Sequence, residues 1–190
     1  YLGFFKLKNQ YRNSIPGMLQ RLANRYTLLV ISGDNDNERG YLRKLLGPAA
    51  NLYFNQQPAD KLTIVASLHK ANNKTVMIGD GLNDAGALKQ AHVGIAITDD
   101  TNNFTPASDA ILDASKLALL EQFIQLAKAN KVIVVTAFII SIIYNLIGLS
   151  FAVQGLLSPM IAAILMPISS ISILLISFGF TNLTAKWLSL

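Results

Sequence analysis

The sequence predicts a doubly wound α/β domain built on a parallel sheet, followed by a two-helix transmembrane hairpin. Three observations lead there. Short apolar runs rich in β-branched residues alternate with helical stretches up to about residue 97. Those runs end in polar or glycine punctuation, the arrangement of buried parallel strands, and ligands of such sheets gather at the carboxyl ends of the strands. Finally, no Asp, Glu, Lys, Arg or His occurs from Val132 to Ala185. The 190-residue chain is 52% hydrophobic and only 14% charged, with a mean hydropathy of +0.39, too apolar for a purely soluble domain.

The strand candidates are "TLLVISGD" (27–34), "NLYF" (51–54), "TVMIGD" (75–80) and "VGIAI" (93–97). Between them lie the helical stretches "DNERGYLRKLLG", stopped by Gly47, "PADKLTIVASLHKAN", led by Pro58, and "NDAGALKQA". Both "SGD" and "GDG" therefore fall at strand ends. Asp80, flanked by glycines that let backbone or phosphate approach, suits a hard cation such as Mg²⁺. Asp84 opens the next helix and can point back to the same pocket, with the Asn83 amide beside it. Two acids so close need a cation or a lysine between them, and Lys61 is the candidate. Each residue also has a local reading: "GDGLND" as a polar turn and cap, Ser32 and Asp34 as turn residues, Lys61 as a solvated helix residue.

The order of these motifs resembles the haloacid-dehalogenase superfamily and, within it, the P-type ATPases. The family's phosphorylation domain carries Thr/Ser-Gly-Asp, here Ser32-Gly33-Asp34; Pro-x-x-Lys, here Pro58 to Lys61; and Gly-Asp-Gly-x-Asn-Asp, here Gly79 to Asp84. The resemblance implies that Ser32 and Lys61 bind the transferred phosphoryl group, that Asp80 ligates Mg²⁺, and that Asp84 with Asn83 supports that site. It also implies ATP as substrate and a phosphorylated aspartate in an Asp-Lys-Thr-Gly-Thr motif, which this sequence lacks. In the family's sheet that strand lies between those ending in "SGD" and "GDG", so both neighbours are expected to have unpaired edges, and the chain alone to be inactive. The sequence opens at Tyr1 and reads as the C-terminal portion of a pump, whose N-terminal portion is then its missing partner. Two departures from the family pattern are Gly86 and His92, the latter expected at the surface, and "TDDTNNFTPASDAIL" (98–112) is longer and more polar than usual.

Roughly 20 residues span a bilayer as helix, so the uncharged region fits two spans, about 132–152 and 159–180, broken at "QGLLSP". The expected division is 1–115 as part of the phosphorylation domain, 116–131 as a linker helix, 132–185 as the helix pair and 186–190 as a tail. Lys128 and Lys131 precede the first span and Lys186 follows the second, whereas the connecting loop is uncharged. Both ends are then cytoplasmic, in a multi-pass protein of, by expectation, a bacterial inner membrane. Polar residues inside the spans stand out: Tyr144 and Asn145 in the first, Met166, Ser169 and Ser170 in the second. Met166 and Ser170 are four apart on one face, and Pro167 can free the Ala163 carbonyl. Ser141, Ser172 and Ser177 read as helix-to-helix glue.

Tyr-Asn followed by Met-x-x-Ser-Ser resembles the copper-transporting branch of the heavy-metal P-type ATPases. The resemblance implies that Tyr144, Asn145, Met166 and Ser170 contribute to a site for Cu(I) or Ag(I) on an export path. A thioether is a soft ligand suited to Cu(I), whereas Zn²⁺ would be better served by a carboxylate, which neither span has. The family's Cys-Pro-Cys motif is absent, and the chain has no cysteine. Other classes are a membrane-anchored phosphatase of the haloacid-dehalogenase type and a truncated, non-catalytic regulator of a pump. Nucleic-acid binding is not expected despite a pI near 9.5, because the basic residues are scattered without runs or interleaved aromatics.

Overall fold

The computed structural model describes Tyr11, residues 14–99 and residues 107–190. Much of "TDDTNNFTPASDAIL" therefore lies outside the described residues. The chain divides into two compact units, Tyr1–Leu120 and Glu121–Leu190.

The first unit runs α1 (Ile15–Ala23), β1 (Leu29–Ile31), α2 (Arg39–Leu46), β2 (Asn51–Tyr53), α3 (Pro58–Lys70), β3 (Val76–Gly79), α4 (Ala85–Gln90), β4 (Val93–Thr98) and β5 (Ala110–Asp113). The alternation of strand and helix is as expected, and all pairings are parallel. The strands nevertheless form two separate sheets, β1–β2 and β3–β4–β5. In the first, Leu29 faces Asn51 and Ile31 faces Tyr53; in the second, Val76 faces Val93 and Ile95 faces Ala110. Among the described residues β1 and β3 each have one strand neighbour only, which agrees with the unpaired edges that the family's sheet order implies.

Local chemistry sets the helix ends. Pro58 begins α3 behind a capping box in which Asp60 accepts a hydrogen bond from the Gln57 backbone at 2.9 Å. Gly47, at φ +82°, ends α2. Leu42, Leu46, Ala50, Leu52 and Phe54 form one apolar cluster against β1 and β2. Leu88 and Ala87 of α4 are fully buried, and Gly94 explains how closely α4 lies on β4. A Cβ on Gly94 would stand 2.5 Å from the Leu88 carbonyl oxygen. Ahead of α1, Tyr11 stacks on Tyr41 and donates a hydrogen bond to Glu38 Oε2 at 3.4 Å. Burial first, and then the Glu38 charge, push its phenol pKa up.

Two elements went unpredicted. Helix α1 begins at "IPG", which reads as a turn, but Pro16 sits in the first helical turn, where its missing N–H has no partner to lose. Strand β5 has only four residues after a polar stretch, too short to announce itself.

The second unit is a pair of long helices, α5 (Leu120–Val153) and α6 (Pro159–Trp187). A 3-10 turn (Ala114–Leu119) leads into one unbroken helix, since no glycine or proline interrupts residues 120–147. Ser158 caps α6 by accepting from the Ile161 N–H at 3.3 Å, with Pro159 in the first turn. Helix α6 also runs past the expected end at 180 to Trp187. Both helices are long and apolar enough to cross a membrane, and almost none of their apolar surface is buried. Two hydrogen bonds tie them together: Thr181 Oγ1 to Asn130 Oδ1 at 2.9 Å and the Tyr144 hydroxyl to the Leu165 carbonyl at 3.0 Å.

Candidate functional site

The ends of β1 and β3 carry the polar groups. At the first, the ladder continues one step, with the Ser32 N–H donating to the Tyr53 carbonyl at 2.9 Å. The chain then turns through Gly33 and Asp34. Ser32 Oγ accepts from the Asp34 N–H at 3.1 Å and donates to Asp34 Oδ2 at 3.2 Å, so hydroxyl and carboxylate hold each other. A Cβ on Gly33 would lie 3.3 Å from the Gln56 carbonyl oxygen, a tight contact.

At the end of β3, Asp80 folds over its own turn. Its Oδ1 accepts from the Leu82 and Asn83 N–H groups at 3.0 and 3.3 Å, and Gly81 takes φ +82° to permit the bend. Asp80 is exposed, and among the described residues Oδ2 has no hydrogen-bond partner. Asp84 heads α4, yet its side chain caps nothing; it turns back to Lys61 of α3, with Nζ to Oδ1 at 2.7 Å. Each side chain of this ion pair is only 13% exposed. Gly79 makes room for it, since a Cβ there would stand 2.5 Å from Asp84 Oδ2 and 2.9 Å from Asp84 Cβ. The Asn83 side chain is exposed.

Lys61 and Asp84 are thus joined, as are Ser32 and Asp34, while no hydrogen bond or ion pair links the two couples. The role of Gly79 as the floor beneath Asp84 was missed from the sequence, although a glycine inside a strand is the ordinary sign of close approach. His92 is exposed; its Nδ1 lies 3.3 Å from the Thr75 N and its ring lies 4.4 Å from that of His69. Among the described residues no group of three or more His, Cys, Asp or Glu side chains could enclose a metal. Asp80 Oδ2 still suits Mg²⁺, which keeps most of its waters and takes one or two carboxylates with phosphate oxygens. An ammonium has three donors, and Asp84 occupies one of them, leaving two for phosphoryl oxygens.

In the helix pair, Met166 is 74% exposed. Ser170 Oγ lies 3.5 Å from the Met166 carbonyl oxygen, and Asn145 Nδ2 lies 3.5 Å from Ser141 Oγ on its own helix. Tyr144 faces α6. No hydrogen bond joins Tyr144 or Asn145 to the Met166 or Ser170 side chains.

The family model for haloacid dehalogenase-like hydrolase matches residues 1–92. The "Probable copper-importing P-type ATPase A" of Enterococcus hirae is 33% identical over 187 residues, covering 97% of this chain and 26% of that protein. The chain belongs to the heavy-metal P-type ATPases. A second such ATPase, the "Copper-exporting P-type ATPase" of Staphylococcus aureus (strain JH9), is 32% identical over 144 residues, 76% of this chain and 18% of its own length. A zinc-transporting PIB-type ATPase in its E2.Pi state shares the fold, with a TM-score of 0.76 at 24% identity, over 92% of this chain and 28% of that one. The chain spans about a quarter or less of the length of the P-type ATPase relatives it matches. Its apolar helices and these relatives make it a membrane protein.

Proposed function

We propose that this chain is the C-terminal part of an ATP-driven pump that exports Cu(I), with Ag(I) as a mimic, through a phospho-aspartate intermediate whose aspartate lies outside it. The observation that carries the metal reading is Met166. Its thioether is presented outward from a helix pair that contains no acid, base or cysteine between Val132 and Ala185. A soft sulfur ligand without a carboxylate favours Cu(I) over Zn²⁺. Tyr144, Asn145 and Ser170 belong to the same region, and segments outside the chain would complete the site. Lys128, Lys131 and Lys186 support cytoplasmic placement of both ends in a bacterial inner membrane.

In this reading residues 1–115 belong to the phosphorylation domain, 116–131 lead to the membrane, and 132–185 form the last two spans. Lys61 offers its two remaining N–H donors to the phosphoryl group. The Ser32 hydroxyl supplies another once it turns from Asp34. Asp80 holds Mg²⁺, which when bound neutralises charge on the phosphoryl oxygens. Asp84 keeps Lys61 oriented. ATP is bound by segments outside this chain, and the chain alone is inactive.

The test is Met166→Leu in the full-length protein. It should abolish Cu(I)-stimulated ATP hydrolysis while phosphoenzyme formation from inorganic phosphate persists; undiminished stimulation would take Met166 out of the ion path. Everted vesicles should accumulate Cu(I) on addition of ATP, and failure to do so with right-side-out uptake instead would reverse the direction.

A further inference from the structure

The Tyr144 hydroxyl sits on the carbonyl of Leu165, at 3.0 Å, in a partly buried contact between α5 and α6. That carbonyl belongs to the peptide unit whose nitrogen is the backbone N of Met166. Two residues later Pro167 interrupts the helix ladder, because it has no N–H to offer the Ala163 carbonyl and its ring crowds that oxygen. The turn that carries Met166 is thus short of one intrahelical bond where a mobile thioether must be aimed. Along α5 the residue is not free to serve a second partner equally well: its one O–H is spent on Leu165, and the remaining phenolic oxygen is a hard donor, poorly matched to a soft ion.

We infer that Tyr144 is a positioning residue rather than an ion ligand: by clamping the Leu165–Met166 peptide it fixes the direction in which the Met166 sulfur is presented. A second bond supports the clamp. Asn130 and Thr181 join the same two helices near their other ends, 14 residues before Tyr144 on α5 and 16 after Leu165 on α6. At 1.5 Å per residue these spacings are about 21 and 24 Å, so two fixings at that separation hold the helices against both sliding and rotation. Asn145, by contrast, is exposed and its amide lies 3.5 Å from Ser141 Oγ of its own helix. Adjacent residues in one motif therefore do different work: Tyr144 holds the partner helix, and Asn145 remains available to the ion path.

This inference rests on the proposed role of Met166, and the experiment separates the two. In the full-length protein, Tyr144→Phe keeps the ring and removes the hydroxyl. Interhelical hydrogen bonds in membranes contribute modestly, so the KM for Cu(I) in ATP hydrolysis should rise about 3- to 15-fold with kcat little changed. Amide exchange at residues 165–170 should accelerate, and X-ray absorption of the Cu(I)-loaded protein should show the same sulfur and light-atom neighbours as the parent. Loss of one oxygen neighbour would make Tyr144 a ligand and overturn the inference. So would an unchanged KM, even with lowered thermal stability, since that outcome describes a merely structural bond. Were Met166→Leu to leave Cu(I) stimulation intact, the Met166 reading would fall and the purpose assigned to the clamp with it. Accelerated exchange in Tyr144→Phe would then still identify the bond itself, so the two failures are told apart.

Discussion

Replacing Lys61 with Met tests whether the Lys61–Asp84 pair is a structural and electrostatic unit. The pair is short, at 2.7 Å, and each side chain is only 13% exposed, so Asp84 cannot be fully rehydrated when its partner is removed. Breaking a buried pair in this way costs about 3–5 kcal/mol, and the residual exposure puts the expectation near the lower bound, about 3 kcal/mol. For a cooperative unit of about 150–250 residues that corresponds to a fall in Tm of roughly 6–12 °C, and for a smaller one to more. The double variant Lys61→Met/Asp84→Asn removes the stranded charge and should recover about 1–3 kcal/mol relative to the sum of the two single changes. The assay is thermal unfolding of the full-length protein in detergent, read by a fluorescent probe of the soluble part, for wild type, both singles and the double. Additive losses would refute the reasoning, because they would mean that Lys61 and Asp84 do not sense each other. Phosphoenzyme formation should be lost in Lys61→Met and in the double variant, stable or not, since in the proposed reaction the phosphoryl group needs the ammonium.

Asp80→Asn should separate turn from cation. The amide oxygen can still accept from Leu82 and Asn83, so Tm should hold within about 1–2 °C, whereas the Mg²⁺ concentration that half-saturates phosphorylation should rise at least about tenfold. An unchanged Mg²⁺ requirement would remove Asp80 from the cation site. Gly94→Ala should destabilise by roughly 2–4 kcal/mol, measured by the same unfolding assay, because the added Cβ meets the Leu88 backbone carbonyl at 2.5 Å and backbone cannot swing aside. A shift under about 0.5 kcal/mol would show that α4 is free to move off β4.

Much of the soluble unit was legible because its strands lie in apolar runs closed by polar or glycine residues. The four runs at 27–34, 51–54, 75–80 and 93–97 contain β1 to β4, and the helices between them begin at Pro58 or stop at Gly47 as local chemistry dictates. Strand β5 was not legible: "AILD" is a short run whose only argument for being a strand is the edge that β4 offers it, a tertiary fact. Of the candidate site, the need for a positive charge beside Asp84 followed from two neighbouring acids, and Lys61 meets it. What could not be read is where Ser32 spends its hydroxyl, since a turn with Asp34 and a ligand contact have the same sequence. The same limit applies in the membrane. "YN" announces polar groups that must be satisfied, but only the register between α5 and α6 decides that Tyr144 meets Leu165 while Asn145 does not.

The division of the polar residues into two couples follows the division of the sheet. Ser32 and Asp34 stand at the end of β1, which pairs with β2; Asp80 and Asp84 follow β3, which pairs with β4; and Lys61 reaches Asp84 from α3, the helix that joins the two sheets in sequence. Among the described residues, β1 and β3 each lack a strand on one side to pair with. A strand's hydrogen bonds fix spacing to within a fraction of an ångström, because neighbours in a sheet lie about 4.8 Å apart. Ser32 and Lys61 must address one phosphoryl group from opposite sides in the proposed reaction, and each now relies on a different sheet for its position. The element that would bring them into common register is therefore the same one that would carry the phosphorylated aspartate. Nucleophile, phosphate-binding hydroxyl and phosphate-binding ammonium would be aligned by one set of backbone hydrogen bonds, which makes the sheet itself part of the catalytic geometry.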